Sequence, residues 1–468
     1  MAVGIGCGKA RIEPGGHGGN GSVTGGTSGA GGHGGNSGFL GLGGTTGDGG
    51  PGACAAGKET SLTGTVYAPN GTLPIYNALV YVPRSSLAPF PSGLSCDRCG
   101  ALPPGEPVTA ALTDAHGEFT LKSVPAGTNV PLVIQVGKWR RQVRVPSVPA
   151  CQSTKITDHE LTRLPRNRQE GDLPRIAVTT GTCDNLICLL PKVGIDPAEW
   201  GIAGEGRPLT FYRGFEKSSL FPEYPQYQTK FDTHLQKMTS ASNLWGDFAE
   251  LSQYDMVVLS CECSEYLDNK GPPAYDAVTR YLTQGGRVFS SDFQYVWYKY
   301  STDPKVGTVA VMNPQSHPLS STETKVRLDT SSPKGKALAD WYATLSSTTA
   351  AATIECRNVY DNFSSITKPG GQVWGSSVPD SPSTPSHPTF FSFNTPVGVP
   401  AEQQCGRAVH VDAHIVDVLT PSGDLKLQYF PDDCGSFSPG ESVLAFFLFD
   451  AAACVQDDIK EPVPPIIY

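Results

Sequence analysis

Ser291 and Asp292 follow the apolar pair Val288-Phe289, and His414 ends the run Gly406-Arg-Ala-Val-His-Val-Asp-Ala-His414. A serine that loses its proton to an imidazole, with a carboxylate orienting the ring, performs acyl transfer. Here Ser291 would be the nucleophile and His414 the base, with His410 as the other ring nearby and Asp412 or Asp292 as the orienting carboxylate. No Gly-x-Ser-x-Gly elbow is present, so the sequence does not signal the strained turn that exposes a nucleophilic serine. The plain alternative is that Asp292 and His414 hydrogen-bond to loop backbone at the strand ends.

Two further groups suit ligand binding. Gln294, Tyr295 and Trp297 follow Asp292, with Tyr298 and Tyr300 behind them. Such a rim would stack on and hydrogen-bond a sugar ring, or pack as ordinary core. Lys138, Arg140, Arg141 and Arg144 form the clearest basic cluster. By the period of two in a strand, Arg140, Gln142 and Arg144 share a face. That face would meet an anionic glycan or headgroup, or only water.

Cysteine usage speaks to location. Thirteen cysteines are many for a compartment that keeps thiols reduced, and the number is odd. Cys7 precedes a glycine-rich tract, where a lipid-bearing cysteine would sit, and Met1–Gly6 is too short to hold a secretion signal. The true start is therefore expected upstream, with Cys7 lipidated and twelve cysteines left for six disulfides. Cys96-x-x-Cys99 lacks a second pair at zinc-ribbon spacing and is expected in disulfides. Cys261-Glu-Cys263 is likewise expected to have separate disulfide partners, since two thiolates alone are an incomplete metal site. Cys405, Cys434 and Cys454 would staple the C-terminus. No metal and no cofactor are expected.

Composition narrows the classes. The chain has 468 residues, a net charge of −9 and 17% charged residues, which argues against nucleic acid as a partner. No apolar run of 18 residues exists, so a membrane would be reached only through a lipid anchor. More than half of residues 15–52 are glycine, and the hexapeptide Gly-Gly-His-Gly-Gly-Asn occurs twice. This stretch cannot offset its backbone entropy by burial, so residues 1–57 are read as a disordered tether. His17 and His33 within it belong to the spacer.

The elements that would position the chemistry follow. From residue 58 to 150, short strands alternate with turns: Leu62–Val66, the stretch after Asn77, the Thr113-Asp-Ala-His-Gly117 turn, and a hairpin about Gly137-Lys138. This is β-sandwich patterning. Gly64-Thr-Val66, Asn77-Ala-Leu-Val80, Thr113-Asp114 with Gly117-Glu-Phe119, and Val124-Pro-Ala-Gly127 resemble the carboxypeptidase regulatory-like (transthyretin-like) domain. That resemblance implies a non-catalytic accessory module, with an inserted stretch from Arg84 to Glu106. Residues 151–173, rich in Pro165, Arg166, Asn167 and Arg168, are read as a linker.

Residues 174–455 read as an α/β doubly wound domain, and 456–468 as a tail. Buried strands are expected at Arg175–Thr180, Tyr254–Leu259 and Arg287–Ser290, with a helix at Ala274–Gln284 that Gly285-Gly286 ends. A short helix is expected over Cys183–Leu190, stopped by Pro191, and later helices at Lys334–Leu345 and Pro439–Phe449. The strand Tyr254-Asp-Met-Val-Val-Leu, the run Tyr281-Leu-Thr-Gln-Gly-Gly-Arg-Val-Phe with Ser290-Ser-Asp-Phe293, and the late His414 strand resemble the class I glutamine amidotransferase-like superfamily, including its trehalose-utilisation-type members. The family's nucleophile is a cysteine on the turn after this strand. Ser290, Ser291 and Asp292 stand there instead, so the resemblance implies the fold and puts the activity in doubt.

The expectation is a secreted or cell-surface lipoprotein that binds or scaffolds an extracellular glycan or envelope component without catalysis. The alternative is an exported hydrolase using Ser291 and His414.

Overall fold

The computed structural model describes residues 54–467, except 57, 182–183, 185, 215–229, 232, 315–323, 346–351, 380, 383 and 415–428. Cys7 and the glycine-rich tether, both singled out in the sequence, lie outside the described residues. From Cys54 onward the chain forms one compact unit.

Seven strands come first: β1 (Ser61–Thr65), β2 (Leu79–Pro83), β3 (Pro107–Leu112), β4 (Glu118–Leu121), β5 (Gly127–Val136), β6 (Trp139–Val148) and β7 (Ser153–Lys155). They make a three-stranded sheet ordered β4-β1-β7 and a four-stranded sheet ordered β3-β2-β5-β6. Leu62, Phe119 and Leu121 from the first, and Val80, Leu132, Ile134, Val143 and Val145 from the second, are buried in one apolar cluster. β2 is covered on both sides, as its continuous apolar run demands. The Arg84–Glu106 insertion supplies part of that cover, for the buried Tyr81 hydroxyl donates to the Pro104 carbonyl.

The same insertion accounts for the basic cluster. Arg140 is buried, with its Nε on Asp172, its Nη2 on the Ala88 carbonyl and its guanidinium over the Phe90 ring. Lys138 donates to the Pro91 and Gly93 carbonyls and to Asp255. Only Arg144 keeps the exposed position that strand periodicity predicts, its Nη1 donating to the Asn129 carbonyl.

The stretch 151–173 is not a bare connector. β7 pairs in parallel with β1, a helical turn spans His159–Thr162, and Leu164 is fully buried. Arg163 is buried and held bidentately by Glu170, with Glu160 as a second carboxylate. The spacing of charges along this stretch resembles an exposed linker, but the charges pair with one another inside the fold.

The later strands are β8 (Ile176–Thr179), β9 (Trp200–Ile202), β10 (Leu209–Tyr212), β11 (Lys230–Phe231), β12 (Met256–Leu259), β13 (Arg287–Ser291), β14 (Ala310–Met312), β15 (Thr324–Leu328), β16 (Thr353–Val359), β17 (Phe363–Ile366), β18 (Gly371–Ser377), β19 (Pro388–Thr395), β20 (Gly406–Val411), β21 (Ala413–His414) and β22 (Tyr429–Phe430). One eleven-stranded sheet runs β21-β16-β15-β18-β19-β20-β13-β12-β8-β10-β9. Its half from β9 to β20 is parallel and its half from β20 to β21 antiparallel. The short pairs β11/β22 and β14/β17 stand apart. β8 has later strands on both sides, so the chain reverses its direction of growth there, and in doubly wound sheets the carboxyl ends beside such a reversal are where ligands bind.

The helix between β12 and β13 spans Pro272–Thr283 and buries Ala274, Ala277, Val278, Tyr281 and Leu282, the helical spacing read in the sequence. The expected short helix begins as a 3-10 turn at Leu186–Cys188 and continues as Leu189–Val193. Pro191 lies inside its first turn, where a missing N–H costs nothing, and does not stop it. The helix Pro439–Ala452 is apolar all round and correspondingly buried on every side. A capping box between Ser438 and Glu441 starts it.

That helix is where the β-rich part and the large sheet meet. Phe449 packs on Trp139 and Phe446 on Tyr76, while the indole N–H of Trp341 donates to the Pro74 carbonyl. Gly137, at φ +53° in the β5–β6 turn, admits the closest approach: a Cβ there would lie 1.9 Å from the Ala452 carbonyl oxygen.

Disulfides extend the connection. Cys96 bonds to Cys405, Cys99 to Cys454, Cys54 to Cys151 and Cys188 to Cys434, and Cys263 is also disulfide-bonded. Six disulfides from twelve cysteines is corrected here, because Cys261 and Cys356 are free thiols. Both are buried, each with no more than 1% of its surface exposed.

Candidate functional site

β8, β12, β13 and β20 end side by side, and each delivers a polar group to one buried place. Their apolar runs are buried on both faces, so the first residues free to be polar are those just past the strand ends. These include Asp184, Cys261, Asp292, Asp412 and His414, none more than 6% exposed. Gly181 lets the chain after β8 close on β12: a Cβ there would lie 2.2 Å from the Cys261 carbonyl oxygen.

His414 is the hub. Its Nδ1 lies 3.0 Å from Asp184 Oδ1 and its Nε2 3.4 Å from Asp292 Oδ2. The Cys261 thiol donates to the same Asp292 Oδ2 at 3.1 Å. Asn362 donates to Asp292 Oδ1 at 3.1 Å and to Asp412 Oδ1 at 2.6 Å, joining the two carboxylates. Asp292 has φ +41° on the turn from β13 into the 3-10 turn Asp292–Tyr295, a left-handed backbone that a non-glycine residue holds only under constraint.

Charge is unevenly compensated. Burial pushes Asp292 up to about 6, aided by Asp412 and opposed by His414. Burial likewise lifts Asp412 to about 8, against the hydrogen bonds from Asn362. Burial disfavours a charged His414, but Asp184 and Asp292 outweigh it and raise the imidazole to about 9. Cys261 is pushed well up by burial and by Asp292 and Asp184, so its sulfur is a thiol. A protonated buried thiol is a poor nucleophile. His410, one layer in, is driven down to about 3 by burial, and its Nδ1 meets Ser290 Oγ at 2.9 Å. Asp184 Oδ2, Asp412 Oδ2 and His410 Nε2 are buried with no hydrogen-bond partner among the described residues.

Of the residues named from the sequence, Asp292 and His414 meet, with Asp412 joined to them through Asn362. Ser291 lies next to them, but its Oγ accepts from the Cys261 N–H at 3.0 Å while both imidazole nitrogens face carboxylates. Gln294 and Trp297 are 1% exposed and hydrogen-bonded to each other, with Gln294 also donating to the Ser260 carbonyl. Trp297 packs against Trp245 and Tyr275, and the Tyr295 hydroxyl donates to Glu265. These rings are core. Arg140 and Arg144 stand in the β-rich part, the first held in the ion pair with Asp172.

Asp184 and Cys261 were missed. Asp184 carries the one available signal, a carboxylate just beyond the first buried strand of a doubly wound pattern. Cys261 was assigned a disulfide together with Cys263, whereas the structure separates them: Cys263 is bridged and Cys261 turns its sulfur to Asp292. Sequence neighbours two apart point to one side only in an extended chain, and Cys263 at φ +72° breaks that extension.

No protein-family model matches the chain, and no curated protein does. Among solved structures, a putative ThuA-like protein from Parabacteroides merdae aligns at 11% identity over 62% of this chain and 95% of its own, with a TM-score of 0.34. A putative ThuA-like protein from Bacteroides uniformis aligns at 9% identity over 52% of this chain and 83% of its own, with a TM-score of 0.29. A type II cohesin-X-dockerin complex from Acetivibrio cellulolyticus aligns at 17% identity over 27% of this chain and 78% of its own, with a TM-score of 0.15. Superpositions this loose decide nothing further, and the assignment that stands is a mixed α/β chain with several sheets, read from its own strand order.

Proposed function

We propose that this chain matures outside the reducing cytoplasm and works there as a tethered, non-catalytic scaffold that binds an envelope component. The supporting observation is the set of disulfides joining segments as far as 355 residues apart, a pattern that persists only in an oxidising compartment. In this reading the glycine-rich segment is the leash, with Cys7 as its lipid attachment. The carboxypeptidase regulatory-like part is an accessory module, and the amidotransferase-like sheet is the ligand-bearing body. A glycan as the ligand has less support, because Gln294, Tyr295 and Trp297 are taken up by packing.

The test is alkylation of the denatured, unreduced native protein followed by peptide mass analysis. Label on Cys261 and Cys356, with Cys54, Cys96, Cys99, Cys151, Cys188, Cys405, Cys434 and Cys454 protected, is the expected result. Label on all of them would sink the extracytoplasmic reading.

Hydrolysis by Ser291 and His414 is the second reading. Its support is the convergence of Asp292 and His414 at the strand ends, and it needs the Ser291 hydroxyl to leave the Cys261 amide. A hydrolytic activity that survives Ser291→Ala would remove it.

A further inference from the structure

We infer that Asp184, Cys261, Asp292 and His414 form a binding site for one zinc-class divalent cation. One donor atom each from Asp184, Cys261 and His414 lie within 4.8 Å of one another. Asp292 Oδ2 stands outside this trio but beside two of its members, 3.1 Å from the thiol sulfur and 3.4 Å from the imidazole Nε2. Bonds of about 2.0–2.3 Å to a tetrahedral ion set its donors roughly 3.3–3.8 Å apart. Side-chain rearrangement within the trio, with Asp292 moving in beside the thiol, would close the set.

A second observation points to a ligand independently. Asp184 Oδ2 is buried and has no hydrogen-bond partner among the described residues, although its companion oxygen is engaged by His414. A carboxylate oxygen in that condition costs free energy, and a cation relieves it. The count of charges agrees. Asp184 and Asp292 both face the one imidazole, with Asp412 and the Cys261 thiol beside them in protonated form, and the buried Lys270 is committed to Glu262 at 2.6 Å. A bound dication would take up the excess, displacing two protons to solvent: the thiol proton as Cys261 becomes a thiolate ligand, and one imidazolium proton as a His414 nitrogen becomes free to ligate.

The donor set selects the metal. Sulfur and imidazole nitrogen disfavour magnesium and calcium, which take oxygen, whereas one thiolate, one imidazole and two carboxylates suit zinc or its cobalt surrogate. Asn362, which donates to both Asp292 and Asp412, would be the residue that orients a ligand carboxylate. The site does not depend on where the chain matures, so its failure would leave the disulfide reading intact.

The experiment uses the full, oxidised chain, stripped with a chelator and titrated with Co2+. One tightly held cobalt per chain with a near-ultraviolet thiolate-to-cobalt band is expected. Cys261→Ser should lose the band, Cys356→Ser should keep it, and His414→Gln should weaken binding at least tenfold. Cobalt retained without the band would place the metal elsewhere, for example on the histidines of the glycine-rich segment, and would overturn the proposal. A band that survives Cys261→Ser, or no retained cobalt, would do the same. Should Cys261→Ser not fold, the thermal midpoint of the unaltered protein decides: it rises with saturating Zn2+ relative to chelator if the site exists, and stays put if it does not.

Discussion

Arg407 lies near the start of β20 and His414 just past its far end, and the buried charges around these two residues are arranged in opposite ways. At the first end, Arg407 and Lys334 face Asp450 and Asp458. Two cations meet two carboxylates, and Ser392 donates to Asp458 as well. Against the effect of burial, Arg407 and Lys334 hold the Asp458 carboxyl well below the usual carboxylate range. At the second end, Asp184, Asp292 and Asp412 surround one imidazole, and two of their oxygens have no partner among the described residues. The first centre anchors the segment after the last helix to the sheet. The second has no such paired cations among the described residues, and perturbed buried groups of this kind cluster at functional sites.

The two centres should respond differently to perturbation. Replacing Arg407 with Met leaves two buried carboxylates sharing Lys334 alone, and a loss of about 3–5 kcal/mol in unfolding free energy is expected from urea titration. A loss under about 1 kcal/mol would show that the first centre is not a compensated network.

The second contrast is in pH. His414 has a folded value of about 9, above its ordinary 6.5, and Asp412 one of about 8, above its ordinary 3.8. Each binds a proton more tightly folded than unfolded, so its stabilising contribution is complete below the unfolded value and is lost as pH rises through the folded one. Chelator-treated protein should therefore lose stability from about pH 4 to pH 9, most steeply between 6.5 and 8 where both groups contribute, with a loss on the order of 4 kcal/mol above pH 6.5. The Arg407 centre, whose Asp458 is depressed, changes only in acid. Urea titrations at stepped pH would show the fall, and a flat profile would mean the His414 centre is solvated.

Asp412→Asn sharpens this further. It replaces a group that must take up a proton to fold at pH 7, so the variant should be more stable there, by on the order of 2 kcal/mol, while part of the fall with rising pH disappears. An exposed pair serves as the baseline. Lys336 and Asp340 stand one turn apart on a helix with both side chains well exposed. Lys336→Ala should move the melting free energy by less than about 0.5 kcal/mol.

Much of the positioning scaffold was legible and the chemistry only partly so. β12, β13 and the helix between them could be read because a strand covered on both faces and an amphipathic helix each leave a periodic mark. Asp292 and His414 were legible as groups at strand ends. Their partners were not, since Asp184 reaches His414 across 230 residues of sequence and no local pattern encodes that meeting. Trp297 and Gln294 show the limit differently: an aromatic and an amide after a strand have the same composition whether they form a rim or a core. Arg140 follows the alternation of β6, yet the Arg84–Glu106 insertion folds over that face and buries it. Periodicity reports which side of a strand a residue is on, not what later covers it.

The cross-links at Cys96 and Cys99 also govern what happens when the backbone is cut. Any single scission between residues 99 and 405 is straddled by both bridges, so the two pieces remain one covalent particle. A nick by a foreign protease would register as two bands only after thiols are added. A chain clipped anywhere in that span thus keeps both of its pieces joined.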